Sequence, residues 1–349
     1  MKKRRTAVCG MAALTLVLLA GCGKAEVQTE QPVVDVMQTE QTEAPVIDVT
    51  QKEQPEEKTV PEGADAEGAA ANLPRIVCWG DSLTEGTGGE GMTYPNTLEK
   101  LSGREVKNYG VYAEMASCIA ARQGGNPMHV DAAFTIPAAC EPVEIKPVNK
   151  SGSPEMLLVF GDAGINPCSI GGVMGTMSIN ADNGVRYFTR SEAGEETAVE
   201  SGTPILFHAM LDKREDDILV IFSGTNDYPD TESIKGVIAY QRAMLKYAGA
   251  EDYVIIGMTK KKAMEEIEEI NQILAAEYGE HFLDIRTYLM EHGLEDAGVA
   301  ETAQDRADME AGEIPASLRT DEEGHGTSAF YRIIGEQLYK KMQELGYLH

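Results

Sequence analysis

A serine, a histidine and two neighbouring acids stand out in this 349-residue chain because their side chains can together perform nucleophilic catalysis. Ser82 lies in a short turn flanked by glycines. His325 closely follows two acids, Asp321 and Glu322. A serine hydroxyl becomes an effective nucleophile when an imidazole accepts its proton, and a carboxylate then orients that imidazole and stabilises its charged form. If the fold brings these groups together, Ser82 can attack a carbonyl carbon.

Short apolar segments lead into the polar turns of this chain. Residues 75–79 read as a buried strand that ends just before the turn with Ser82, and residues 218–222 read as a second that ends before Ser-Gly-Thr-Asn-Asp. A buried strand, a glycine-flanked turn and a helix are the usual way in which an α/β sheet presents a side chain at its C-terminal edge. We therefore expect Ser82 to lie at that edge.

Four sequence blocks resemble those of the SGNH (GDSL) hydrolase family. In chain order they are Gly80-Asp81-Ser82-Leu83, Val106-Lys107-Asn108-Tyr109-Gly110, Ser223-Gly224-Thr225-Asn226-Asp227, and Leu318 to His325 followed by Tyr331. The resemblance implies that Ser82 is the acylated nucleophile and His325 its base. It also implies an oxyanion hole made of the backbone N–H groups of Ser82 and Gly110 and the side-chain amide of Asn226. Taken singly, these residues also fit structural roles. Ser82 can cap a helix and Gly110 can form a tight turn. Asn226 can be a turn residue and His325 the entry to a helix.

The last block departs from the family in the spacing between its acid and its histidine. The family has Asp-x-x-His, whereas Asp321 stands four residues before His325 and Glu322 takes the usual position. The spacing from His325 to Tyr331 matches the family, so the added residue lies between acid and histidine, where Gly324 can adopt an unusual backbone turn. We expect Asp321 to be the triad acid, with Glu322 as the alternative.

The remaining pattern favours a doubly wound α/β sheet. Residues 252–258 and 281–285 predict further strands, 260–278 an amphipathic helix and 328–345 a closing helix. Alternating strands and helices imply a parallel sheet with helices on both faces. The family resemblance implies the same architecture, a flavodoxin-like three-layer α/β/α sandwich (SGNH hydrolase), formed by residues 74–122 and 214–349.

A long segment separates the second and third blocks, where a crossover helix and short loops would suffice. After a predicted helix at 113–122, it contains β-type runs separated by Gly, Pro, Asn and Asp, at 133–136, 143–148, 155–160, 173–179, 186–190 and 203–207. This pattern indicates an inserted small β-domain, a barrel or a sandwich, at 123–213. An insert at the edge of the sheet can cover the nucleophile or grip the substrate, and a packing role is equally compatible.

The N-terminus has the layout of an exported lipoprotein. Four bases precede an apolar run from Thr6 to Ala20, which is typical of a secretory signal at 1–21. Leu19-Ala20-Gly21-Cys22 resembles the bacterial lipobox, which implies lipidation of Cys22 and stable anchoring by several acyl chains. An ordinary signal peptide with a chance cysteine is the alternative. Residues 22–73 contain no Phe, Tyr or Trp, so they predict a disordered acidic tether.

Charge and cysteine usage narrow the function further. The chain has 57 acids and 30 Lys and Arg, of which four bases lie in the predicted signal, so 26 bases remain and the formal charge becomes -31. Such a chain is repelled by nucleic acid, and we expect no nucleic-acid partner. Cys78, Cys118, Cys140 and Cys168 show no metal spacing, and Cys140 and Cys168 can pair or stay separate. We expect neither a metal nor an organic cofactor.

These features predict an extracytoplasmic, lipid-anchored serine esterase on the bacterial cell membrane. Its location and the breadth of the family favour acyl groups on carbohydrate, such as acetyl groups, as ester substrates, followed by lipid or small esters. The alternative is a non-catalytic surface lipoprotein that binds a glycan or a partner through a decayed hydrolase fold and its β insert. The altered spacing before His325 is the feature that favours this alternative.

Overall fold

The computed structural model describes residues 73–227, 230–259, 264–322 and 324–348. The predicted signal peptide, Cys22 and residues 23–72 of the predicted tether lie outside these ranges. Within the described part of the chain, no helix is both long and apolar enough to cross a membrane.

The described residues form strands and helices in the following chain order. The strands are β1 (Ile76–Gly80), β2 (Val106–Gly110), β3 (His129–Val130), β4 (Phe134–Ile136), β5 (Val143–Ile145), β6 (Pro147–Val148), β7 (Cys168–Ile170), β8 (Val173–Ile179), β9 (Arg186–Arg190), β10 (Thr197–Val199), β11 (Ile205–Leu206), β12 (Ile218–Phe222), β13 (Tyr253–Ile256) and β14 (Phe282–Leu283). The helices are α1 (Ser82–Glu85), α2 (Tyr94–Ser102), α3 (Ala116–Gln123), α4 (His208–Leu211), α5 (Ile234–Ala248), α6 (Met264–Tyr278), α7 (Ile285–Ala297), α8 (Ala303–Glu310) and α9 (Ser328–Glu344).

The central sheet is parallel and has the strand order β2-β1-β12-β13-β14. This order is that of doubly wound, flavodoxin-like folds, in which the chain reverses direction across the sheet next to its first strand. Strands β1 and β12 are buried along their whole length, as expected for central strands that helices cover on both faces.

Helices pack on both faces of this sheet. On one face, α2, α7 and α9 bury side chains such as Leu98, Leu289 and Ile334 against the strands. On the other face, α3, α5 and α6 contribute side chains such as Ile119 and Ile270. The structure therefore confirms the predicted flavodoxin-like three-layer α/β/α sandwich.

The region between α3 and α4 is rich in antiparallel strands, as predicted. A five-stranded antiparallel sheet has the order β11-β7-β8-β9-β5, and β10-β4 and β3-β6 form two-stranded ribbons. These strands enclose apolar side chains that include Ile136, Ile170, Met177, Phe188 and Val199. The domain limits at 123 and 213 stay predictions.

Several predicted segments are corrected by the structure. Residues 155–160 are not a strand but turns, because Leu158 has a left-handed φ of 67° that breaks an extended course. Helix α3 begins at Ala116 rather than at Ala113, which has a left-handed φ of 56°. Strand β14 ends at Leu283 because Asp284 caps the next helix by accepting a hydrogen bond from the Thr287 N–H.

Two further predictions concern the helix at 260–278 and the cysteines. The helix is described from Met264 onward, and residues 260–263 lie outside the described residues. Cys140 and Cys168 are both free thiols, so the open question of their pairing is settled in favour of separate residues. Cys168 is buried, whereas Cys140 is exposed.

Candidate active site

Ser82, His325 and Asp321 form a chain of hydrogen bonds at the C-terminal edge of the parallel sheet. The Nε2 atom of His325 lies 2.9 Å from the Oγ of Ser82. On the other side of the imidazole, its Nδ1 atom lies 2.6 Å from Oδ2 of Asp321. Ser82 and His325 are buried, with 4% and 8% exposure, so the ring sits between hydroxyl and carboxylate largely away from water.

Local packing places Ser82 at the edge of the sheet. Strand β1 ends at Gly80, and Asp81 caps α1 by accepting a hydrogen bond from the Leu83 N–H at 3.0 Å. Ser82 is the first residue of α1, so its own N–H has no partner within the helix. A Cβ on Gly80 would lie 2.5 Å from the carbonyl oxygen of Phe222, so only glycine allows this close approach.

The turn before His325 accommodates the unusual acid spacing. Oδ1 of Asp321 accepts a hydrogen bond from the His325 N–H at 3.1 Å, and the Thr320 N–H donates to the His325 carbonyl at 2.8 Å. Gly324 lies between them with a left-handed φ of 92°, as the sequence predicted for the added residue. The carboxylate beside the imidazole is therefore that of Asp321, and both Asp321 and Glu322 are exposed. This geometry favours Asp321 as the triad acid.

Helix α9 holds this turn against the loop that follows Ser82. The helix begins three residues after His325, and its Tyr331 hydroxyl donates to the Thr87 carbonyl at 2.6 Å. The Ser328 hydroxyl donates to the Gly89 carbonyl at 3.1 Å. Two parts of the chain that are distant in sequence are thus fixed beside each other.

The prediction that Gly110 supplies an oxyanion donor is wrong. The Gly110 N–H donates to the side-chain oxygen of Asn108 at 2.9 Å, so it is already engaged. A Cβ at this position would lie 2.1 Å from the backbone nitrogen of Glu85. Gly110 is therefore required because β2 packs tightly against α1.

Ala113 lies beside Ser82. It lines a cavity of about 250 Å³ together with Ser82, Asn226 and His325. Its backbone is left-handed, and its N–H has no hydrogen-bond acceptor within the described part of the chain. Sequence reasoning missed this residue because alanine rarely adopts a positive φ and because its contribution comes from the backbone. The remaining residues that line the cavity are Leu83, Tyr112 and Thr225.

The predicted Asn226 does lie in this cavity. Its Nδ2 donates a hydrogen bond to the Glu114 carbonyl at 3.0 Å. An amide nitrogen carries two hydrogens, so a second donor remains for a ligand. The next residue, Asp227, accepts from the Ala116 N–H at 2.9 Å and thereby caps α3. The loop after β12 is thus tied to the segment that carries Ala113.

A buried ion pair that the sequence did not reveal lies behind Ala113. Arg122 and Glu114 are 0% and 1% exposed, and their charged groups approach to 2.7 Å. Arg122 also donates to the carbonyls of Tyr109 at 3.0 Å and Ala163 at 2.6 Å. One guanidinium therefore joins the end of β2, the Ala113 segment and the inserted region.

Asp81, unlike Asp321, is a buried carboxyl group beside Ser82. It is completely buried, and this burial raises its pKa to about 7. The hydrogen bond from the Leu83 N–H, together with the nearby Thr225 hydroxyl and His325, lowers the pKa in part. The group therefore titrates near neutral pH, unlike an ordinary aspartate.

Metal binding has no evident place among the described residues. In those ranges, no group of three or more His, Cys, Asp and Glu side chains could hold a metal ion.

Comparisons with known proteins gave only distant likenesses. No family model matches the sequence, and no curated protein matches it either. A lipolytic protein of the G-D-S-L family from Desulfitobacterium hafniense is 14% identical, with 76% of this chain and 98% of that chain covered and a TM-score of 0.41. A lipolytic G-D-S-L family member from Veillonella parvula is 13% identical, with 77% and 97% covered and a TM-score of 0.40. A lipase/acylhydrolase from Enterococcus faecalis is 10% identical, with 78% and 97% covered and a TM-score of 0.40.

Proposed function

We propose that this protein is a serine esterase of the SGNH type that hydrolyses carboxylic esters through an acyl-enzyme. The observation that carries the proposal is the chain of contacts from Ser82 Oγ to His325 Nε2 at 2.9 Å and from His325 Nδ1 to Asp321 at 2.6 Å. The four sequence blocks support the same assignment. A nucleophile, a base and an orienting acid in hydrogen-bond contact are the arrangement that acyl transfer requires.

The acylation step follows from this arrangement. The Ser82 oxygen attacks the ester carbonyl while its proton moves to His325 Nε2, and the charged imidazole is stabilised by Asp321. The carbonyl oxygen becomes an oxyanion, for which the N–H groups of Ser82 and Ala113 and the amide of Asn226 are donors in the same cavity. Collapse of the tetrahedral intermediate breaks the bond to the alcohol oxygen, which takes the proton from His325.

Deacylation uses the same groups with water. His325 accepts a proton from the water oxygen as it attacks the acyl carbonyl, and the Ser82 oxygen then leaves and takes that proton back. The products are a carboxylic acid and the free enzyme. No other proton carrier is needed for the cycle.

The substrates that we propose are short acyl groups on carbohydrate. The cavity beside Ser82 has a volume of about 250 Å³, which is room for a short acyl group. The predicted export and lipid anchor at Cys22 would expose the enzyme to surface glycans. Turnover measured across acetyl, butyryl and octanoyl esters and across acetylated glycans tests both parts of this proposal.

The altered spacing before His325 favoured a non-catalytic role when only the sequence was considered. In the structure this spacing accompanies a 2.6 Å contact between Asp321 and His325, which supports catalysis. Hydrolysis of p-nitrophenyl acetate by the full-length protein separates the two functions. We expect turnover that requires Ser82, whereas a protein that binds the glycan without turnover would fit the non-catalytic role.

Membrane attachment through Cys22 is a separate proposal. Cys22→Ala should prevent incorporation of radiolabelled fatty acid, and the protein should then be released or remain unprocessed. Hydrolysis of a small soluble ester should not depend on the lipid. Lipid incorporation into the Cys22→Ala variant would contradict the proposed anchor, and labelled wild-type protein serves as the reference.

A further inference from the structure

Two exposed aromatic rings continue outward from the catalytic histidine. The ring of Tyr112 stacks on that of His325, with centroids 5.9 Å apart and an interplanar angle of 29°. The ring of Phe160 meets Tyr112 edge-on, with centroids again 5.9 Å apart and an angle of 67°. Tyr112 is 42% and Phe160 45% exposed, so both rings offer free surface to a ligand.

The backbone that carries Phe160 is fixed at both ends. On one side, Leu157 is buried in the core of the inserted region, and the Arg186 guanidinium donates to its carbonyl at 3.1 Å. On the other side, Arg122 donates to the Ala163 carbonyl at 2.6 Å. The exposed phenyl ring is therefore presented by an anchored segment rather than by a free loop.

Two residues close to Phe160 in sequence are also apolar and exposed. Met156 and Val159, on the same anchored segment, are 41% and 44% exposed. Single exposed apolar side chains are common, but a contiguous apolar surface beside a reactive group marks a place where a ligand binds. We call the surface formed by Tyr112 and Phe160 the ring shelf.

The position of Tyr112 indicates which half of an ester would meet the ring shelf. His325 must deliver its proton to the oxygen of the leaving alcohol, so that alcohol has to lie beside the imidazole. The donors for the oxyanion, which belong to the acyl half, come from Ser82, Ala113 and Asn226. Because Tyr112 stacks on His325 itself, the ring shelf adjoins the alcohol half of the substrate.

We propose that the ring shelf is a leaving-group subsite that binds the C–H face of an uncharged sugar ring in the alcohol half of the ester. This inference rests on the proposed esterase function. Aromatic faces carry partial negative charge and attract the slightly positive hydrogens of such a ring. Among the residues that the structure describes, the cavity lining consists of Ser82, Leu83, Tyr112, Ala113, Thr225, Asn226 and His325, with no Lys or Arg to attract an anionic alcohol.

The test compares two esters that share an acetyl group and differ in the alcohol. One is methyl 6-O-acetyl-glucopyranoside, and the other is ethyl acetate. In Phe160→Ala, the ratio of kcat/KM for the sugar ester to kcat/KM for ethyl acetate should fall roughly three- to tenfold, mainly through KM, because one aromatic face is lost. Phe160→Tyr keeps the ring and should retain the ratio.

Met174→Ala is the matched control. Met174 lies on β8 of the inserted region and is 43% exposed, similar to Phe160, but it is not part of the ring shelf. The ratio should be unchanged in this variant. Circular dichroism and thermal unfolding of all variants should show that the fold is retained.

Three results would overturn the inference. An unchanged ratio in folded Phe160→Ala would show that the ring shelf does not bind the sugar. A changed preference between ethyl acetate and ethyl octanoate, without an effect on the sugar ester, would place the shelf on the acyl side. If wild-type protein hydrolyses neither ester, the proposed function itself is wrong and the inference fails with it, so the two failures are distinguishable.

Discussion

The side-chain amide of Asn226 donates a hydrogen bond to the backbone carbonyl of Glu114 at 3.0 Å. This contact joins the loop after β12 to the segment after β2, and it leaves the second amide hydrogen for a ligand. The two loops contribute Asn226 and Ala113 to the cavity beside Ser82. The two proposed oxyanion donors therefore depend on one another for their positions.

Removal of the Asn226 amide should slow the chemical step. We expect Asn226→Ala to lower kcat by roughly 10²- to 10³-fold, because one oxyanion donor is lost. Asn226→Asp keeps the shape but replaces the donor by an acceptor, so it should be at least as slow. Steady-state kinetics on p-nitrophenyl acetate measure this effect, and circular dichroism checks the fold. An effect on KM alone would mean that Asn226 only positions the substrate.

The acid that orients His325 can be identified by paired substitutions. Asp321→Ala should reduce kcat by orders of magnitude, because its carboxylate lies 2.6 Å from Nδ1 of the imidazole. Glu322→Ala, at the neighbouring exposed position, is the control and should have a modest effect. The reverse ranking would assign the role to Glu322, and two mild effects would indicate a serine–histidine dyad.

The buried pair of Arg122 and Glu114 should matter far more for stability than an exposed pair. Arg122→Met leaves the buried Glu114 carboxylate without its cation and should lower the free energy of unfolding by about 3–5 kcal/mol. Lys235→Met breaks an exposed pair with Glu232 and should cost about 0–1 kcal/mol. Urea unfolding measures both, and similar costs in the two variants would contradict the structural role of the buried pair.

Asp81 predicts a dependence of stability on pH. Its pKa in the folded protein is raised to about 7, above the value of about 3.9 for an unfolded chain. Between these pH values the folded state holds a proton that the unfolded state has released, so its contribution to stability falls as pH rises from about 4 to about 7. Asp81→Asn removes this pH dependence. The free energy of unfolding of the variant, relative to that of wild type, should therefore increase as pH rises from 5 to 8.

Urea unfolding of wild type and Asp81→Asn at pH 5 and at pH 8 measures this effect. The control is Asp182→Asn, at an exposed position of the inserted region, which should keep a constant difference from wild type. A constant difference for Asp81→Asn as well would show that this carboxyl group titrates normally.

The sequence predicted the central sheet well because its strands are apolar and end at glycine-containing turns. Strands β1 and β12 lie where the apolar pattern placed them, and the parallel sheet with helices on both faces agrees with the alternation of strands and helices. The inserted region was harder to predict, since most of its strands are short and several pair with strands that are distant in sequence. The segment around Leu157 is apolar like a strand but turns instead, because it packs against the core of the insert and is held by Arg186.

Side-chain chemistry was easier to predict than backbone chemistry at the site. Ser82, His325 and Asp321 could be predicted because nucleophilic catalysis requires a serine, a histidine and an acid. Ala113 was missed because the contribution proposed for it is a backbone N–H in a left-handed conformation, which the residue type does not reveal. Arg122 was missed because nothing in the sequence shows that its charge is buried against Glu114.

Covalent labelling of Ser82 tests the central claim most directly. Wild-type protein treated with a serine-reactive fluorophosphonate should gain one adduct, which peptide mass spectrometry should locate on Ser82, in parallel with loss of p-nitrophenyl acetate hydrolysis. Ser82→Ala should remain folded, take up no label and show no turnover above background. Labelling at another residue, or unchanged hydrolysis by Ser82→Ala, would contradict the assignment of Ser82 as the nucleophile of an esterase.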